Sequence, residues 1–231
     1  ALRIIGLVLK IFFWGLIILM NGVIFWRLFS SGDPAETKLV KADDKLREAY
    51  SAYISDTHEP GDYFAIYQSE NTRMNITDED PDEETGYLGN YGYFAVSNQI
   101  LFPTAGQVQI TFRYNLSTLE HLKEDYELPE TPDPDADWYE VTLRVIKKDG
   151  TEQRLKPATS EKASKTRYRY YCMTFTGLPS FEDISEIYVD IYYDGDVDYT
   201  RRPYGDLCVY NSGYENREYK LSKKDISALT K

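Results

Sequence analysis

Cysteine and histidine are both scarce: the 231-residue chain has Cys172 and Cys208, and His58 and His121. Two thiols and two imidazoles with no ligand spacing between them exclude a structural zinc site of the cysteine–histidine type. The two cysteines leave open a single disulfide, Cys172–Cys208, or two separate buried thiols. Positive charge is also in deficit. Lysine and arginine number 26 against 38 aspartates and glutamates, for a net charge of −12. A chain of that balance lacks the basic footprint of a nucleic-acid binder, so no nucleic-acid partner is expected. Catalytic signatures are missing too. His58 precedes Glu59 and Pro60, His121 lies between Glu120 and Leu122, and neither sits in a motif that would activate a nucleophile. No catalytic residue is assigned.

Long apolar runs are absent everywhere except in residues 1–29. Ile11 to Trp26 is apolar apart from Gly15, Asn21 and Gly22, and the apolar character extends back to Leu2, broken by Arg3 and Lys10. A bilayer span needs about 20 apolar residues. Lys10 can snorkel at one end, and aromatic residues flank both ends as an interfacial belt would. The segment reads as a transmembrane signal-anchor helix in preference to a cleaved signal peptide or a buried core helix. Arg3 and Lys10 precede it, while Arg27, Lys38, Lys41, Lys45 and Arg47 follow. Long domains translocate largely regardless of such charges, so the C-terminal part is expected outside the cytoplasm. That makes a single-pass protein of the cell membrane, with the membrane itself as the partner of the helix.

Residues 30–60 form a juxtamembrane linker with an amphipathic helix over 34–53, on the spacing of Leu39, Leu46, Ala49, Tyr50 and Tyr53. From residue 61 the apolar period changes from helical to two. Alternating stretches at 62–68, 91–97, 107–114, 138–148, 151–157, 167–176, 186–193, 206–211 and 214–221 read as strands. Asp149-Gly150 between two of them is the clearest hairpin turn. The six acids within 78–84, the proline- and aspartate-rich 129–137 and the polar 159–165 read as loops, and Ser117 opens a short helix over 118–125. The class is mainly β: an N-terminal transmembrane helix, then an extracytoplasmic β-sandwich over 61–231, jelly-roll-like or immunoglobulin-like, with short helices.

Three features carry functional expectations. Tyrosine reaches 21 residues, suited both to strands and to binding surfaces. If Ile187, Val189 and Ile191 fill the core, Tyr188 and Tyr192 face outward, and Arg167 and Arg169 do so if Tyr168 and Tyr170 point in. These four make a candidate partner-binding patch. Second, residues 144–169 hold nine basic residues and only three acids, whereas the chain outside the helix is acidic overall. Third, Asp194, Asp196 and Asp198 alternate as in calcium loops, although Tyr199 and Gly205 stand where an EF-hand would want glycine and glutamate. Ca2+ is the one cofactor these residues suggest. The expected function is a binding or assembly module for a protein partner, with carbohydrate binding as the alternative and hydrolysis third.

Overall fold

The structure, a computed structural model, describes residues 2–29, 40–56, 64–68, 75–76, 94–115, 119–120, 123–124, 129–131, 139–164, 168–193, 199–200, 203 and 205–231. Three helices are named here, α1 (Leu2–Phe29), α2 (Asp44–Ser55) and α3 (Lys223–Leu229). The strands are β1 (Ile66–Tyr67), β2 (Asn75–Ile76), β3 (Phe94–Phe102), β4 (Gln107–Asn115), β5 (Tyr139–Lys147) and β6 (Glu152–Leu155). They continue as β7 (Thr159–Ser164), β8 (Tyr168–Thr176), β9 (Ile184–Tyr193), β10 (Gly205–Asn211) and β11 (Arg217–Glu218).

The strands form two antiparallel sheets. The first runs β11-β1-β3-β4-β8-β7 and the second β2-β10-β9-β5-β6. Hairpins alternate between them: β3–β4 in the first, β5–β6 in the second, β7–β8 in the first, β9–β10 in the second. Period-two patterning makes this work, because each strand then offers one apolar face. Val141, Leu143 and Val145 of β5 and Ile187, Val189 and Ile191 of β9 meet Val108 and Ile110 of β4 and Phe175 of β8 in one shared core. The sheets therefore pack face to face, as the mainly β reading expected.

The hairpin at Asp149-Gly150 forms as the sequence implies. Gly150 adopts φ +82°, and Asp149 accepts bonds from the Thr151 amide (2.9 Å) and hydroxyl (2.7 Å). Other expectations need correction. Residues 159–164, read as a polar loop, are an edge strand, β7, bonded along β8. Only Arg217–Glu218 of the expected strand 214–221 is extended, and α3 follows it. Of the short helix expected over 118–125, residues 119–120 and 123–124 are helical. The acid-rich segment 78–84 lies outside the described residues.

The helix expected over 34–53 is α2, which starts at Asp44, where the Asp43 carboxylate caps the Leu46 amide at 2.7 Å. Residues 34–39 lie outside the described residues. α2 buries Leu46 and Tyr50 on the outer face of the first sheet, against Phe64 and Phe102. Tyr50 meets Phe64 edge-on, centroids 4.8 Å apart. Val40 and α2 thus pack as part of the folded domain.

α1 runs 28 residues, and its described side chains from Lys10 to Phe25 are exposed apart from a partly covered Ile17. Asn21 returns its amide to the Ile17 carbonyl at 2.8 Å. The stretch Lys10–Phe25, over which every side chain is described, covers about 24 Å at ~1.5 Å per residue. Among the described residues no helix is long and apolar enough to cross a membrane.

Candidate functional site

The outer face of the second sheet carries a polar cluster dictated by strand alternation. Since Val141, Leu143 and Val145 point into the core, Glu140, Thr142 and Arg144 of β5 point out. The same parity on β9 turns Glu186, Tyr188, Asp190 and Tyr192 outward, opposite Ile187, Val189 and Ile191. Register then aligns them: Arg144 stands across from Tyr188 on one side and Arg154 of β6 on the other, and Asp190 lies between Thr142 and Asp206.

Asp190 is at the centre and fully buried. Arg144 binds it side-on, Nε to Oδ2 at 2.7 Å and Nη2 to Oδ1 at 3.1 Å. Arg154 adds Nη1 to Oδ2 at 2.9 Å and donates from the same nitrogen to the Tyr192 hydroxyl at 2.9 Å. Asp206 lies 3.8 Å from Arg144, and Glu152 3.0 Å from Arg154. The guanidiniums also stack: Arg144 sits 4.5 Å above the Tyr188 ring, and Arg154 5.6 Å from Tyr192 and 5.2 Å from Tyr199. Tyr199 bonds Glu140, which pairs with Lys156 at 3.1 Å.

Electrostatics follow from this packing. Burial pulls the Arg144 guanidinium down, but the hydrogen bond and charge of Asp190, helped by Glu152 and Asp206, more than reverse it and its pKa rises. Burial pushes the Tyr188 phenol up, with Cys208 and Glu186 adding to it. Burial and then the Asp190 charge raise Tyr192, while Arg154 opposes them. A buried carboxylate held by two arginines is a balanced arrangement. It fixes β5, β6 and β9 relative to one another, and leaves both guanidiniums already engaged.

Of the expected patch of Tyr188, Tyr192, Arg167 and Arg169, the described members Tyr188 and Tyr192 are not brought together with Arg169. The outward parity of the two tyrosines is as expected, yet Tyr192 is only 3% exposed, overlaid by Arg154 and meeting Tyr199 edge-on at 5.2 Å. Tyr188 is half-buried beneath Arg144. Arg169 belongs to β8 in the other sheet, across from Tyr114, on the same parity as Tyr171, Met173 and Phe175 that face the core. The expectation that it faces outward opposite a buried Tyr170 is therefore corrected. Tyr170 is buried on the outer side of the sheet. Arg167 lies outside the described residues.

Asp194, Asp196 and Asp198 also lie outside the described residues, among which no cluster of three or more histidine, cysteine or acidic side chains could hold a metal ion. Cys172 and Cys208 are both free. Cys172 is on β8 of the first sheet, turned to its outer side with Tyr170 and Thr174, and Cys208 is on β10 of the second, opposite Tyr188. The two thiols sit on the outward sides of different sheets, so the disulfide reading is corrected. Burial pushes the Cys208 thiol up.

Sequence reasoning missed Asp190 as the organising residue. Its signal was an aspartate between two tyrosines on a face that cross-strand arginines could reach. No family model, curated protein or solved structure matches the chain.

Proposed function

We propose that the chain is a single-pass membrane protein whose α1 holds the two-sheet domain outside the cytoplasm as a protein-binding or assembly module. One observation carries the membrane half. The large apolar side chains of α1, among them Phe12, Phe13, Ile18, Leu19, Ile24 and Phe25, are exposed right round the helix. A helix apolar on every side has no stable place in water. Asn21 suits hydrocarbon better than its type implies, because its amide bonds the Ile17 carbonyl within the same helix.

Most of the domain's described apolar residues are buried, with Ile54, Tyr214 and Ile226 among the exceptions, and its charge favours display over adhesion to lipid. Arg3, Lys10 and Arg27 are the only charged residues in 1–29, so the remainder carries −15. Protein binding is favoured over sugar binding by ring geometry. A sugar platform wants coplanar exposed rings, whereas Tyr192 and Tyr199 meet at 88° and the face of Tyr188 is taken by Arg144. The partner surface then lies along the rim of the second sheet, where Tyr199 and Lys156 are exposed.

Protease treatment of intact cells tests the orientation. The proposal expects loss of the domain without permeabilisation, and cleavage only after permeabilisation contradicts it. Capture of a partner from surface proteins, weakened when Tyr199→Ala and Lys156→Ala are combined, tests the binding half.

A further inference from the structure

The domain has two apolar clusters of unequal size. Among the described residues, twenty buried ones fill the space between the sheets, and nine lie on the outer side of the first sheet, including Val40, Leu46, Phe64, Ile100, Phe102 and Leu229. The smaller cluster is roofed by two pieces of chain far apart in sequence, the segment from Val40 through α2 and the C-terminal α3.

The roof is stitched to itself and to the sheet almost wholly through side chains. Asp225, in the first turn of α3, is buried and accepts the Val40 amide at 2.8 Å and the Ser222 amide at 2.8 Å. Ser222 Oγ accepts the Asp225 amide at 3.2 Å, completing a reciprocal cap. Arg47 of α2 donates to the Ala228 carbonyl of α3 at 3.2 Å. Among the described residues, bonds to the sheet include those of Gln109, which holds the Lys41 amide (2.9 Å) and carbonyl (2.7 Å), and Gln107, which holds Asp43 at 2.7 Å, while Lys41 pairs with Glu161 at 2.6 Å. The strands beneath are bonded over nine residue pairs between β4 and β8.

We propose that Val40–Ser55 and Ser222–Leu229 form one clasp that opens and closes as a unit over the first sheet, ahead of any opening of the sandwich. Its opening uncovers Phe64, Ile100 and Phe102, an apolar strip otherwise closed to solvent. Segments that share the smaller of two apolar clusters are the ones expected to open locally first. This inference does not depend on the membrane or partner reading.

Hydrogen exchange on the full-length chain in detergent tests it. The amides of α2 and α3 should exchange at a common rate, faster than those of β4, β5, β8 and β9. Asp225→Ala removes the carboxylate half of the reciprocal cap and the Val40 bond and should speed exchange in both helices about fivefold or more, with β5 and β9 unchanged. Arg47→Ala, which removes the bond to Ala228 of α3 and an exposed pair with Asp44 within α2, should speed both to a smaller extent. Faster exchange in α3 alone overturns the single unit. Uniformly faster exchange throughout, or an Asp225→Ala chain that does not fold, overturns the independence of the sandwich.

Discussion

Arg144 and Asp190 meet diagonally across neighbouring strands, in a two-point contact of 2.7 and 3.1 Å that leaves the carboxylate with no exposed surface. Arg144 stands directly opposite Tyr188, so it reaches past its cross-strand neighbour to the residue two further along. The result is a guanidinium stacked on a ring and bonded to a carboxylate at once.

Breaking that arrangement from one side should be costly. Asp190→Ala strands two partly buried guanidiniums and is expected to lower stability by about 3–5 kcal/mol, whereas Arg144→Met, with Arg154 still in place, should cost about 1.5–3 kcal/mol. The triple change Arg144→Met, Arg154→Met and Asp190→Leu should recover much of the loss. Thr142, across from Asp190, has a buried hydroxyl with no hydrogen-bond partner among the described residues, so Thr142→Val should be neutral or stabilising. Urea unfolding followed by circular dichroism checks all four.

The domain should fold without α1, because both apolar clusters lie within residues 40–231. A fragment starting at Val40 is expected to melt in one cooperative transition. A fragment starting at Gly61 loses Leu46 and Tyr50, each contributing about 1.5–3 kcal/mol by burial, and should melt much lower or aggregate. Equal melting temperatures would mean that α2 contributes nothing to the fold.

Much of this organisation was legible beforehand, for local reasons. The β5–β6 hairpin, the alternation of β4 and β9 and the helix over α2 are written in turn residues and periodicity. What was not legible depended on neighbours remote in sequence. The strand β7, Thr-Ser-Glu-Lys-Ala-Ser, is polar because it is an edge, where charge guards against unwanted pairing. Parity said that Tyr192 points out of the core, but not that Arg154 and Tyr199 would lie over it. The patch with Arg169 failed because sheet membership is decided by pairing, and β8 pairs with β4 while β9 pairs with β5. The reciprocal cap of Ser222 and Asp225 was readable, but was hidden by extending a strand to Leu221.

Alkaline pH should unfold the domain through its phenols. Burial raises Tyr50, Tyr188, Tyr192, Tyr199 and Tyr210, in several cases with help from a nearby carboxylate. In the unfolded chain such groups ionise near pH 10. A raised folded-state value means the stabilisation is fully present below about pH 10 and is lost as pH climbs from there through the folded-state values. Melting temperatures should therefore hold to about pH 9 and fall steeply beyond about pH 10, and Tyr188→Phe should soften that fall. A flat profile through that range would contradict the raised folded-state values of these phenols.

We propose that α1 seats in a bilayer and carries the domain with it. Liposome flotation after an alkaline carbonate wash measures this directly, comparing the full chain, the fragment starting at Val40 and the full chain with Leu19→Arg. A charge at the centre of a span costs about 2.5–3.5 kcal/mol on insertion scales. The account predicts that the full chain floats with the lipid, the fragment stays at the bottom and Leu19→Arg partitions between the two. A full chain left at the bottom of the gradient with the fragment would contradict it.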